Sequence, residues 1–92
     1  MTTEAVAKFT IKNQLGLHAR AATKLVQLAT KFPCEVELAR GDQLANGKSV
    51  MGVLLLCGSV GTVIDVRARG ERAEECVRAI GELIEAKFGE AQ

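Results

Sequence analysis

The chain holds a single histidine, His18, in the run Leu15-Gly16-Leu17-His18-Ala19-Arg20-Ala21-Ala22, and this is the residue whose type and setting can do chemistry. Imidazole is both a nucleophile and a proton carrier near neutral pH. A helical apolar period begins just after Gly16, so His18 is predicted at or beside the N-cap of a helix. The first amides of a helix lack internal partners and carry partial positive charge, which makes such a junction a binding place for phosphate or another anion. Here Ala19, Arg20 and Ala21 supply those amides, and the alanines leave the backbone open. The Arg20 guanidinium can add charge-assisted hydrogen bonds to phosphoryl oxygens. The same positive end disfavours imidazolium and so favours a neutral, nucleophilic ring. Phosphoryl transfer rests on positioning and charge stabilisation, so a protein that only carries the group needs few parts. A lone histidine at a helix start can also be a cap or an idle surface residue, and residue types alone leave the function open.

The elements that must hold His18 follow from periodicity. Ala5, Ala7, Phe9 and Ile11 alternate with Val6, Lys8 and Thr10, which predicts a half-buried first strand. After the break at Asn13-Gln14-Leu15-Gly16, residues Ala22, Leu25, Val26, Ala29 and Phe32 recur at helical spacing, predicting a helix from about Ala19 to Thr30 that Pro33 stops. Cys34, Val36 and Leu38 alternate with Glu35, Glu37 and Ala39; the turn Arg40-Gly41-Asp42 then leads into a short strand through Leu44 and Ala45. Asn46-Gly47 marks another turn, Ser49 suits the N-cap of a short helix from Val50 to Cys57, and Gly58 ends it. Thr62, Ile64, Val66 and Ala68 face one way along a last strand that Gly70 closes. Ala73, Cys76, Val77, Ile80, Leu83, Ile84 and Phe88 form the apolar stripe of a final helix. The order is βαββαβα. Its fold class is α+β, an open-faced sandwich in which three helices cover one side of a four-stranded antiparallel sheet.

Composition narrows the classes. With 92 residues and 48% apolar content, one domain spanning 1–92 is expected. No apolar run approaches the roughly 20 residues of a membrane-spanning helix, and Met1 to Ala5 lack the features of a secretory signal, so a cytoplasmic location is expected. Cys34, Cys57 and Cys76 are odd in number, form no CxxC pair and have one histidine to join them, so they read as free thiols packed like small apolar residues. A formal charge of +1 with no Tyr or Trp argues against nucleic acid as a partner. No serine, cysteine or carboxylate is visibly organised around His18, which makes a hydrolase the weakest reading; no cofactor or metal is implied.

The run Leu15 to Ala22 resembles the active-site signature of the HPr family, the histidine-containing phosphocarriers of the bacterial phosphoenolpyruvate:sugar phosphotransferase system. A second run, Asn46-Gly47-Lys48-Ser49-Val50-Met51-Gly52-Val53-Leu54, resembles that family's regulatory serine segment, and the similarity extends over nearly the whole chain. The resemblance implies the same open-faced sandwich. It also implies a protein that is not an enzyme but a covalent intermediate, with His18 phosphorylated on Nδ1 by Enzyme I and dephosphorylated by an Enzyme IIA-type acceptor. Arg20 would steady the phosphoryl group, and the backbone of Ala19 and Arg20 would bind it. Ser49 would be the target of an HPr kinase/phosphorylase. Leu17, Ala19, Arg20, Val50, Met51 and Leu54 would dock the partners, and a monomer is expected. Ala21 stands where the family usually has proline, a change that loosens the first helical turn and suits a regulatory relative as well as a sugar-uptake carrier. Two alternatives remain: a nitrogen-type regulatory carrier not coupled to sugar uptake, and a non-phosphorylated binding module that docks through the Met51 patch.

Overall fold

Residues 3–92 are described by a computed structural model, in which the four alternating segments pair into one antiparallel sheet. The strands are β1 (Glu4–Thr10), β2 (Glu35–Arg40), β3 (Gln43–Asn46) and β4 (Val63–Arg69), in the spatial order β1-β4-β2-β3. Helices α1 (Ala19–Thr30), α2 (Val50–Leu55) and α3 (Ala73–Glu85) complete the βαββαβα open-faced sandwich read from the sequence.

Register explains which face the helices cover. Across β1 and β4, Ala5, Ala7 and Phe9 stand opposite Ala68, Val66 and Ile64, while β2 sets Val36 and Leu38 opposite Ala68 and Val66. These rows form one apolar face. The other face sets Glu4 opposite Arg69, Lys8 opposite Asp65 and Glu37 opposite Arg67, with ion pairs at 3.5, 2.9 and 3.6 Å respectively. Exposed pairs of this kind contribute about 0–1 kcal/mol each, whereas burying one Leu, Ile or Val side chain contributes about 1.5–3 kcal/mol. Burial therefore decides the orientation, and the charges keep the uncovered face wet. Against the apolar face α1 presents Ala21, Ala22, Leu25, Val26 and Ala29, and α3 presents Ala73, Cys76, Val77, Ile80, Gly81 and Ile84. All of these except Gly81 belong to one continuous core.

The ends of elements depart from the pattern read in the sequence. The first strand starts at Glu4 and ends at Thr10 instead of running Ala5 to Ile11; Ile11 is buried all the same. The short helix stops at Leu55, two residues before Cys57, and it is Cys57, not Gly58, that takes the left-handed conformation at φ 54°. Gly58 serves a different need, because a Cβ there would lie 2.7 Å from Leu17 Cδ1. This turn leaves Cys57 exposed, which corrects the expectation of three packed thiols; Cys34 and Cys76 are buried as expected. Phe88 is buried too, but not as part of the last helix. The chain leaves α3 at Glu85 and reverses through left-handed Lys87, Phe88 and Gly89 in a single 3₁₀ turn. A left-handed bulky residue is strained by about 1–2 kcal/mol, a cost that full burial of the Phe88 ring offsets.

Gly16 is the glycine on which the site depends. Its φ is +65°, and a Cβ would meet the Gly58 carbonyl oxygen at 2.3 Å and Ser59 Cα at 3.0 Å, both backbone atoms that cannot swing aside. Gly41 has a similar φ of +58° with nothing within 4 Å. Gly16→Ala is therefore expected to lower unfolding free energy by about 2–4 kcal/mol, from conformational strain plus overpacking, and Gly41→Ala by about 1–2 kcal/mol from strain alone. Urea denaturation of the two variants checks the difference.

Candidate functional site

His18 occupies the N-cap of α1 with extended backbone (φ −73°, ψ 177°), and its ring makes no capping hydrogen bond. The first helical bond runs from Ala22 N to His18 O at 2.8 Å, so the amides of Ala19, Arg20 and Ala21 have no carbonyl within the helix. No acidic residue stands in the first turn to satisfy them electrostatically. The other two helices differ: Ser49 Oγ caps α2 by accepting from Gly52 N at 3.1 Å, and Glu74 and Glu75 stand in the first turn of α3. Of the three α-helices, α1 alone has neither a side-chain cap nor an acidic residue in its first turn, since α3 lacks a side-chain cap at Arg72 but carries the two glutamates.

The loop before α1 is locked from both sides. Leu17 N donates to Gly58 O at 2.8 Å, Gly16 N donates to Asn13 O at 3.1 Å, and Asn13 Nδ2 donates to Gly16 O at 2.8 Å. The Leu17 side chain is 6% exposed and packs into the core, so it offers no docking surface; that expectation is corrected. His18 itself keeps 27% of its side chain exposed, and Ala19 and Arg20 are exposed beside it. Among the described residues no salt bridge takes up the Arg20 guanidinium, which stands free for an anion arriving at the helix mouth.

One group at the site was missed in the sequence. His18 Nε2 is hydrogen-bonded to Glu90 Oε2, so a carboxylate is organised around the histidine after all. Glu90 Oε1 accepts from Asn13 Nδ2 at 3.0 Å. These two bonds hold the Glu90 carboxyl below the ordinary glutamate range, the bond from His18 contributing most and the bond from Asn13 next. Asn13 is fully buried, and its Oδ1 has no partner among the described residues, an arrangement that costs about 1–3 kcal/mol. Both groups facing its Nδ2 are acceptors, which fixes the orientation of the amide. The ring thus lies between a positive helix end and a carboxylate, and Nδ1 is the nitrogen left without a partner among the described residues. Some 72 residues separate Glu90 from His18, and no spacing rule links them. The one available signal was Gly89, a residue suited to the chain reversal that brings Glu90 back.

The apolar patch beside the site is shifted by one residue from the expected set. Met51 and Leu55, four apart on α2, are 65% and 68% exposed, and Leu15 is exposed as well. Val50 and Leu54 are only half-buried contributors that pack against the core. Ser49 is partly exposed and already engaged as a cap. Among the described residues no group of His, Cys, Asp and Glu could hold a metal, and no helix is long and apolar enough to cross a membrane.

The site is thus an accessible histidine, bonded to one carboxylate, at the start of a helix on an open-faced α+β sandwich. Residues 5–86 match the family model described as PTS HPr component phosphorylation site, and the chain belongs to the HPr family of phosphocarriers of the phosphotransferase system. It is 44% identical over 82 residues to the phosphocarrier protein HPr of Neisseria meningitidis, covering 89% of this chain and 92% of that one. It is 43% identical over 89 residues to the phosphocarrier protein NPr of Shewanella violacea, covering 97% and 98%. The crystal structure of HPr-C-His from Thermoanaerobacter tengcongensis superposes with a TM-score of 0.92 at 40% identity, covering 96% of this chain and 99% of that one.

The Glu90 contact has a testable sign. Because its folded value lies below the ordinary 4.5, the ionised group adds stability above about pH 4.5, and this contribution is lost as pH falls through the folded value. The unfolding free energy of the wild type is expected to fall more steeply below pH 4.5 than that of Glu90→Gln. Urea titrations at pH 3 to 6 check it.

Proposed function

We propose that this protein accepts a phosphoryl group on His18 Nδ1 from phosphorylated Enzyme I, in the cytosol, and passes it to an Enzyme IIA-type acceptor. The observation that carries this reading is the juxtaposition of an unpartnered Nδ1 with three unpartnered amides at the start of α1. In-line attack by Nδ1 on the donor's phosphorus would place the transferred oxygens against the amides of Ala19 and Arg20, where the helix end and the Arg20 guanidinium offset their charge. The partner would rest on the Met51–Leu55 stripe, an exposed apolar surface beside the histidine loop. Ser49 is the site proposed for an HPr kinase/phosphorylase: its oxygen serves α2 as an acceptor, which leaves its own O–H free to be modified.

The similarity to NPr over nearly the whole chain supports a second reading with the same chemistry but different partners, a nitrogen-type regulatory carrier. Phosphate exchange with purified sugar-type and nitrogen-type Enzyme I separates the two, the physiological donor giving the higher kcat/KM.

Incubation with phosphoenolpyruvate and Enzyme I is expected to add one phosphate that survives alkali, is lost in acid and maps to His18. His18→Ala should take up none. Met51→Asp should lower kcat/KM roughly tenfold, about 1.4 kcal/mol of binding, mainly through KM. Labelling of His18→Ala equal to wild type would refute the assignment.

A further inference from the structure

The segment after α3 does more than end the fold. The Phe88 ring is fully buried, Lys24 Nζ on α1 donates to Phe88 O at 2.7 Å, and Gln14 N donates to Gln92 O at 3.0 Å. With the left-handed backbone at Lys87, Phe88 and Gly89, these contacts bring the chain back across the loop that carries His18. Between the two anchors lies Glu90, its side chain only 16% exposed, one oxygen on His18 Nε2 and the other on Asn13 Nδ2. Asn13 is itself held by the Gly16 carbonyl, in the same loop. Asn13 is buried with its Oδ1 unbonded among the described residues, and its amide nitrogen joins Glu90 to the histidine loop.

Resting on the reading that His18 carries the phosphoryl group, we infer that Glu90, aimed by Asn13, is a positioning residue that holds a proton on His18 Nε2 and thereby keeps the Nδ1 lone pair directed to the phosphorus. An imidazole with Nε2–H has its free electron pair on Nδ1, and the carboxylate accepts only from a nitrogen that bears hydrogen. The chemistry balances around this one proton. When the group arrives, the Nδ1 pair forms the N–P bond, and the pair of the breaking bond leaves with the donor. The ring, now positively charged, retains Nε2–H opposite the Glu90 carboxylate. When the group leaves, the pair of the N–P bond returns to Nδ1 as the acceptor's nucleophile bonds to phosphorus. Neither half-reaction requires a proton to move on the ring, and the carboxylate offsets the ring's charge only in the phosphorylated state.

The test compares wild type, Glu90→Ala and Glu90→Gln, each first shown to be folded by its amide NMR fingerprint. Long-range ¹H–¹⁵N spectra of the His18 ring, recorded at alkaline pH, report which nitrogen carries the proton. Stopped-flow transfer from phosphorylated Enzyme I gives kcat and KM. The expected result is Nε2–H in the wild type, a shift of the ring nitrogens towards a mixture in Glu90→Ala, and a fall in kcat of about ten- to a hundredfold with KM little changed. Glu90→Gln, which keeps an acceptor but not the charge, should lie between. Wild-type ring shifts and wild-type kcat in Glu90→Ala would overturn the inference while leaving the carrier reading intact. A wild type that shows Nε2–H but takes no phosphate from Enzyme I would overturn the carrier reading and the role of Glu90 with it.

Discussion

Three backbone amides at the start of α1 have no carbonyl to bond, and neither the histidine at the N-cap nor any acidic side chain in the first turn satisfies them. A positive, unsatisfied helix end facing solvent is a constraint that the surrounding structure either answers or leaves for a ligand. At α2 the Ser49 hydroxyl accepts from one such amide, and at α3 Glu74 and Glu75 in the first turn offset the positive end without a capping bond. At α1 it is left open, and the side chain nearest to it is the only imidazole in the chain. The proposed phosphoryl chemistry rests on that open helix end beside the histidine.

Keeping the helix mouth both open and fixed requires the rest of the fold. Packing of Ala21, Ala22, Leu25, Val26 and Ala29 on the sheet fixes where α1 begins. Gly16 brings the preceding loop within bonding distance of the segment that follows α2, where Leu17 N donates to Gly58 O. The chain after α3 closes the remaining side, with Phe88 as anchor and Glu90 as the group that reaches the ring. Three segments distant in sequence thus meet around the histidine loop. The carrier role proposed here would use this arrangement, with the ring held in one pose and left partly exposed.

Most of the architecture was legible because it is written in local periodicity. Alternation along Thr62 to Ala68 and the stripe from Ala73 to Ile84 each arise from one face being buried, and burial outweighs the other contributions. His18 and Arg20 were legible for a similar reason, since a helix start is a local feature. What escaped was decided by contacts between distant residues. Phe88 fits the helical spacing of α3 yet is buried through a chain reversal, because its ring finds the core only once the backbone turns left-handed. Leu17 lies within the signature but points inward because Gly58 leaves room for it. On α2, apolar almost all round, periodicity alone did not separate the exposed Met51 and Leu55 from the half-buried Val50 and Leu54. Glu90 has no local signal at all; its place is set by where the last turn falls.

The central physical claim is that the phosphoryl group, once on His18, is held by the free amides of α1. Amide proton chemical shifts in the phosphorylated and unphosphorylated protein measure this directly. The amides of Ala19 and Arg20 should move strongly downfield on phosphorylation as they take up hydrogen bonds to phosphoryl oxygens, with smaller changes elsewhere. Shifts at Ala19 and Arg20 that stay unchanged while His18 is fully phosphorylated would contradict it.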